Sequence, residues 1–438
     1  MDTNNLDTRR SELETIFSEK FTENGDKAFD STGNKLLDIL FMSEYYTKHL
    51  NEVPSIGDSH VAKLFSMFIR DPRFGLGRRD LGRRLMSQTM LTPQQIVLCG
   101  RYDDLYLMPA FTLANLNFLF DEVKKGNELA KKWMPRYSSK HFGFAKQFAE
   151  MLDMNKQQYG HFVKANTVEN TMSRKQWEYI AFEHVPSLAA IRYAKAFQRH
   201  QPVRYRQYIE DVKAGKKELH VATTNVYDIY KNRDSIDVDV FYGKVEKINI
   251  SCIPIVDVSG SMFWKESQDA IGKALSIGKY LSDCSTYCPG QFVTFSQRPE
   301  LVSQIGSTYM EQIMSIQRAD WGGNTDLGAV MNILSKLKSD FPDYLVILSD
   351  MEFDRGSSND KDSLMRNWQA KGIQTKIIWW NFNSRNKTVP ETDKYGNVFI
   401  SGYNPMLLKY MEVGFDAHAF LQKLLAEYAK NAGVKFED

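Results

Sequence analysis

The chain has 438 residues, 42% hydrophobic and 25% charged, with a formal net charge of +2; this is globular composition with room for two or three domains. No run of eighteen apolar residues occurs and Met1-Asp-Thr-Asn does not begin a secretory signal, so neither a membrane span nor export is expected. Cys99, Cys252, Cys284 and Cys288 are too few for a disulfide framework and make a cytoplasmic location the expectation; Cys284 and Cys288 read as small core residues.

The small net charge hides an asymmetry. Residues 1–60 carry 6 Lys+Arg against 12 Asp+Glu, residues 61–230 carry 27 against 16, and residues 231–438 carry 23 against 26. A basic middle third in a nearly neutral chain is the footprint expected of an anionic partner, usually nucleic acid. A solvated Lys/Arg-rich helical surface has the same composition.

The first twenty residues are polar. A helix is predicted from Lys35, after the capping candidates Ser31, Thr32 and Asn34. Up to about residue 230 the rhythm stays helical, with apolar spacings of three and four at 60–69, 110–123, 143–154, 177–182 and 187–197, broken by Gly, Pro or Asp-Asp. Such a series builds an irregular stack of helix pairs.

Within it, a helix stops before Pro72, a loop holds Arg73, Gly75 and Gly77, and the next helix carries Arg78, Arg79, Arg83 and Arg84. Guanidinium forks beside loop amides suit phosphate. The competing use for these arginines is pairing with Asp71, Asp80, Asp103 or Asp104.

Arg70-Asp-Pro-Arg-Phe-Gly-Leu-Gly-Arg-Arg79 is similar to the Arg-Asp-x-Arg-x-Gly-Lys-Gly-Glu-Arg signature of TROVE modules, the ring-forming helical repeats of the Ro RNA-binding autoantigens. Leu76 stands where that signature has Lys, and Arg78 where it has Glu. The match at Arg79 implies a structural salt bridge there. Gly100-Arg-Tyr-Asp-Asp-Leu105, Lys132-Trp-Met-Pro135, Trp177 and Val185-Pro-Ser-Leu-Ala189 resemble more closely a little-characterised family of plants, large DNA viruses and phages. That family also joins a helical TROVE-like part to a C-terminal A domain. The resemblance runs from about residue 20 to about 410 and implies RNA as partner.

Further on, Trp177, Phe182, Tyr193, Phe197, Tyr205 and Tyr208 are interleaved with Arg192, Lys195 and Arg199. Such a stretch can stack bases and bind phosphates; aromatics at helical spacing are more often core. Residues 211–242 read as a docked connection between domains.

From about Val245 the pattern alternates. Strands are predicted to Asp257 and at 291–295, 344–349, 374–380 and 397–400. Helices are predicted at 265–283, 309–316, 327–337, 362–370 and 417–430. This alternation implies a mostly parallel, doubly wound sheet. The first strand ends in Asp257-Val-Ser-Gly-Ser261, Thr325 opens a later helix, and another buried-strand pattern ends at Asp350. Hard oxygen donors at strand ends suit Mg²⁺ or Mn²⁺. The order and spacing of Asp257, Ser259, Ser261, Thr325 and Asp350 resemble the metal-ion-dependent adhesion site of a von Willebrand A domain.

The predicted organisation is a polar segment 1–20, a TROVE-like helical-repeat ring at 21–240 and a von Willebrand A domain at 245–438. The expected function is RNA binding by the ring, with a Mg²⁺-dependent module whose open coordination position takes an acidic protein group or phosphate. The alternative is a metal-dependent protein scaffold that binds no RNA. Glu352 and Asp354 lie near Asp350, but an aspartyl-phosphate enzyme needs an acidic residue and a Lys where Ser259 and Ser261 stand. No Ser/His/Asp arrangement occurs, so an enzyme is not expected.

Overall fold

The computed structural model describes residues 19–21, 27–29, 34–108, 112–163, 168–221, 224–263, 269–294, 298–319, 327–337, 340–350, 358–382, 390–393, 395–403 and 406–434. A short antiparallel hairpin comes first, β1 (Glu19–Phe21) and β2 (Lys27–Phe29). The other strands share one sheet: β3 (Cys252–Val256), β4 (Gln291–Thr294), β5 (Leu301–Ser303), β6 (Tyr344–Ser349), β7 (Lys376–Asn381), β8 (Glu391–Thr392) and β9 (Val398–Ser401). Their order is β5-β4-β3-β6-β7-β9-β8. The five inner strands run parallel, and β5 and β8 close the edges antiparallel.

β3 is central and apolar throughout, yet holds Pro254, which has no N–H to give a ladder. It pairs with β6 along its whole length, Cys252↔Tyr344 to Val256↔Leu348, but with β4 only at Ile255 and Val256, beyond the proline. Side chains alternate between faces. Ile253, Ile255, Leu345, Ile347, Ile377 and Trp379 enter one core with Val330, Met331 and Leu334 of helix Leu327–Leu337 and with Met365 and Trp368 of helix Ser358–Ala370. Val256 points the other way, onto helix Ala270–Cys284 at Gly278, where a Cβ would stand 2.4 Å from Val256 Cγ2. Helices therefore cover both faces, and parallel strands buried on both sides read as continuous apolar runs.

The chain divides into two compact units, Met1–Met42 with Thr224–Phe420, and Ser43–Thr223 with Leu421–Asp438. These divisions differ from the boundaries read in the sequence, 20/21 and 240/245. The supposed connection is partly structural. Helices Val226–Lys231 and Val238–Gly243 pack within the α/β unit, where Tyr227 Oη donates to Asp269 Oδ2 at 2.8 Å and Tyr242 Oη to Asp283 Oδ2 at 2.7 Å. Helix Lys35–Phe41 belongs there too, with Phe41 against Tyr410 at 5.1 Å between ring centroids. Tyr428, late in the last helix Ala417–Ala432, instead lies in the helical unit, edge-on to Phe68 and bonded to Asp71 Oδ2 at 3.3 Å.

In the helical unit, short polar caps start the elements. Ser59 caps His60–Arg70, Thr92 with Gln95 boxes Pro93–Cys99, and Asn155 with Gln158 boxes Lys156–Phe162. Sequence neighbours pack on one another, as in His60–Arg70 against Arg79–Met86 and Ser187–His200 against Pro202–Lys213. At the first crossing Gly82 is required, because its Cβ would meet Arg70 Cα at 2.7 Å. The helix expected at 177–182 is instead two 3-10 turns, Trp177–Tyr179 and Phe182–His184. Extended backbone at Ile180 and Ala181 lets both Ile180 and Phe182 be buried, which two residues of one helix at that spacing cannot do. No helix among the described residues is long and apolar enough to cross a membrane.

One carboxylate organises the crossing. Asp104 is fully buried and takes Arg70 Nη2 at 2.6 Å, Arg83 Nε at 2.5 Å and the Arg101 amide at 2.8 Å. Breaking such a buried pair from one side costs about 3–5 kcal/mol. Arg83→Ala is therefore expected to lower the melting temperature sharply, whereas Arg79→Ala, at a side chain 54% exposed and 3.5 Å from Asp80, should change it little. Equal melting temperatures for the two variants would refute this assignment.

Candidate functional site

The topology places two carboxylates side by side. β3 leads to one edge of the sheet through β4 and to the other through β6, so the strand order reverses between β3 and β6. Ligands of open α/β sheets bind outside the carboxyl ends at such a switch point. Asp257 and Asp350 follow the last paired residues of these two strands, and Asp257 N extends the ladder to Leu348 O at 2.9 Å. Both carboxylates are buried, at 2% and 1% exposure.

The turn after β3 folds back on Asp257. Ser259 N donates to Asp257 Oδ1 at 2.8 Å, Ser349 Oγ donates to Asp257 Oδ2 at 2.6 Å, and Ser259 Oγ lies 3.1 Å from Ser261 Oγ. Burial lifts the Asp257 carboxyl above its ordinary range, and Asp350 adds to the rise; the bonds from Ser349 and Ser259 pull it down. The result is a small all-oxygen cluster of the kind a hard cation takes. No three His, Cys, Asp or Glu side chains among the described residues group closely enough to hold a metal. This cluster has two carboxylates and relies on hydroxyls. Thr325, Glu352 and Asp354 lie outside the described residues.

The arginine-rich loop is built differently from the sequence reading. Its amides are not turned to a ligand: Leu76 N, Gly77 N and Arg78 N donate to Phe68 O, Asp71 O and Ile69 O of the preceding helix and its cap. Gly75 fits because a Cβ there would strike Phe68 O. Arg73 is tied to Asp71 Oδ1 at 3.3 Å and donates to Leu98 O. Arg83, expected on the phosphate face, is the internal strut, held by Asp104, Asp103 and Asp80 and only 11% exposed. Arg79, expected to be the structural one, is the exposed one. Helix geometry explains the exchange: Arg83 is four residues beyond Arg79 and one turn deeper into the crossing, beside Arg70.

Arg79, Arg83 and Arg84 line one groove of ≈ 910 Å³, together with Lys132, Arg136, Lys140 and His141. Arg73 and Arg78 are not among its lining residues. In the sequence, Lys132-Trp-Met-Pro135 stands out only as part of a resemblance. The missed signal was the basic run Lys131, Lys132, Arg136 and Lys140, broken by Pro135 so that no helix could carry it on one face.

Arg192, Lys195 and Arg199 are all exposed on helix Ser187–His200, at spacings that share a face. The aromatics interleaved with them are mostly core. Phe182, Phe197, Tyr205 and Tyr208 are buried, with Phe182 centroids 5.2, 5.3 and 5.6 Å from the other three. Trp177 stacks on His200 at 4.0 Å. The four cysteines are buried free thiols, which places Cys284 and Cys288 in the core as expected.

Residues 251–431 match the family described as "Domain of unknown function (DUF7788)", and residues 162–233 match "Domain of unknown function (DUF2828)". The chain is 23% identical over 509 residues to "Uncharacterized protein L728" of Acanthamoeba polyphaga mimivirus, covering 94% of this chain and 88% of the relative. Among solved structures it is similar to the Ro (RSR) protein of Deinococcus radiodurans, at 11% identity and a TM-score of 0.43, covering 94% of this chain and 96% of that one. A Ro protein is thus among the proteins this chain is similar to.

Proposed function

We propose that this chain is an RNA-binding protein resembling Ro, and not an enzyme. In this reading a basic helical-repeat ring binds RNA, and a von Willebrand A-type module takes an acidic ligand through Mg²⁺ or Mn²⁺. The observation that carries the metal reading is the 3.1 Å between Ser259 Oγ and Ser261 Oγ beside two buried carboxylates. Mg²⁺ holds oxygens at about 2.1 Å in an octahedron, so neighbouring ligand oxygens stand about 3 Å apart. A cation there also offsets the burial that raises the Asp257 carboxyl, and with it the smaller contribution of the Asp350 charge. Asp257, Ser259, Ser261 and Asp350 would hold the ion, with Thr325 as a further hydroxyl. A coordination position left over suits a carboxylate or phosphate oxygen.

The RNA reading is supported by cations that the fold leaves facing outward. Arg192, Lys195 and Arg199 line one helix face, and a second group lines the groove near Arg79. Phosphate contacts of this kind make affinity fall steeply with salt. A scaffold that holds protein through the metal and binds no RNA would have no such slope.

Asp257→Ala is expected to abolish Mg²⁺ and Mn²⁺ binding in calorimetry while leaving circular dichroism unchanged. Metal affinity equal to the parent's would remove the strand-end site from consideration. For RNA, replacing Arg192, Lys195 and Arg199 together with Gln should shrink the log–log salt slope by roughly 2 to 3, at about 0.7–0.9 per phosphate. The loss should be nearly uniform across RNA sequences, because phosphate contacts position and do not specify. A parental slope in that variant means these three cations do not meet RNA.

A further inference from the structure

The groove beside Arg79 has a composition that neither a bare anion nor an apolar ligand satisfies. Its lining holds Lys132, Arg136 and Lys140, none of which is in an ion pair among the described residues. Arg84 adds a guanidinium whose Nε is buried without a hydrogen-bond partner among those residues. Burial first, and then the charges of Lys140 and Arg83, hold the His141 imidazole below its ordinary range, so the field is positive before His141 contributes.

Against these cations stand two carboxylates, Asp80, which already pairs with Arg79 and Arg83, and Asp103. Asp103 is 8% exposed; its Oδ2 takes Arg83 Nη2 at 3.3 Å, and its Oδ1 is buried with no hydrogen-bond partner among the described residues. Phosphate is chiefly an acceptor, and the negative charge of Asp103 repels it. A ligand that carries phosphate at one end and hydroxyl or amine donors a few ångströms away meets both demands. Apolar wall is present as well, from Tyr106 and from Trp133, whose ring lies 4.4 Å from Arg101 Cζ and 5.1 Å from Lys132 Nζ. The volume, ≈ 910 Å³, is that of a small-molecule site. A terminal phosphate monoester, with a charge of about −1.5 to −2 and three acceptor oxygens, answers several unpaired cations better than a singly charged diester.

We propose that this groove is a binding site for a phosphorylated nucleotide, with Arg84, Lys132, Arg136 and Lys140 on the phosphate and Asp103 on a ribose or base donor. The nucleotide comes either as the 5′-monophosphate end of an RNA or as a free nucleoside monophosphate. The first source rests on the RNA reading above; the second does not.

The test uses the full chain and its variant with Lys132, Arg136 and Lys140 changed to Gln. All three lie outside the Asp104 cluster. Four probes are titrated: adenosine 5′-monophosphate, adenosine, and one short RNA with a 5′-monophosphate or a 5′-hydroxyl. The parent is expected to prefer the 5′-phosphorylated RNA, or the monophosphate over adenosine, by about tenfold or more, the worth of one or two charge-assisted hydrogen bonds. The variant should lose that preference and keep its affinity for 5′-hydroxyl RNA. If neither RNA binds but the monophosphate does, and the variant loses it, the groove stands and the RNA reading falls. If both RNAs bind equally in the parent and the monophosphate does not bind, the proposal is overturned while the RNA reading stands. A variant that weakens both RNAs alike also overturns it, since the groove is then a stretch of backbone path.

Discussion

Asp104 is the constraint on which the helical unit depends. A carboxylate with no exposed surface must have its oxygens met, and here Arg70, Arg83 and the Arg101 amide meet them. The consequence reaches beyond stability. Two of the arginines in a conspicuous basic stretch are used inside the fold, so the free positive charge at the surface is smaller than composition implies. Arg79 and Arg84, which line the groove, are joined there by cations from a distant part of the chain, Lys132, Arg136 and Lys140. The groove exists because the Arg79–Met86 helix is pinned at Arg83, with its neighbours on either side left to line it.

The α/β unit applies the same electrostatics with the opposite sign. Asp257 and Asp350 lie at the ends of adjacent parallel strands, where register and not choice brings them together. Parallel strands paired in register end level, so two acidic residues one step past Val256 and two past Leu348 must share the crevice. Ser349, between Leu348 and Asp350, gives its hydroxyl to Asp257 instead of to the sheet. That bond fixes one carboxylate oxygen and leaves the Ser259 and Ser261 hydroxyls turned to each other. Every polar side chain of the turn is thereby committed to one small volume.

Much of this was legible in the sequence, and what was not has identifiable causes. Buried parallel strands are nearly continuous apolar runs, so β6 and β7 could be read within a residue or two, and β3 at its carboxyl end. The short edge strands β5 and β8 carry no such pattern, at three and two residues. Asp257, Ser259 and Ser261 were legible because they are adjacent in sequence and their turn is local. The roles of Arg79 and Arg83 were not, because they depend on Asp103 and Asp104, twenty residues away, and on the depth of the crossing at Gly82. The placement of residues 224–243 was missed because two short polar-capped helices resemble a linker until Tyr227 and Tyr242 find Asp269 and Asp283.

The two sites make complementary demands that bear on what kind of ligand the chain can accept. A hard cation at the strand ends would present an open position to anionic oxygen, while the groove presents unpaired ammonium and guanidinium groups to anionic oxygen directly. Carboxylate can serve the first and is poorly matched to the second, where the planar guanidinium of Arg84 and several point charges suit a three-oxygen group. Phosphate can serve either. Chelation of a cation bound at the strand ends would remove one demand and leave the other, whereas salt would weaken the exposed groove more than a buried coordination site. If both proposed sites are used, ligand selection by the two units would be separable by chemistry, and a phosphate-bearing ligand is the class that would suit both.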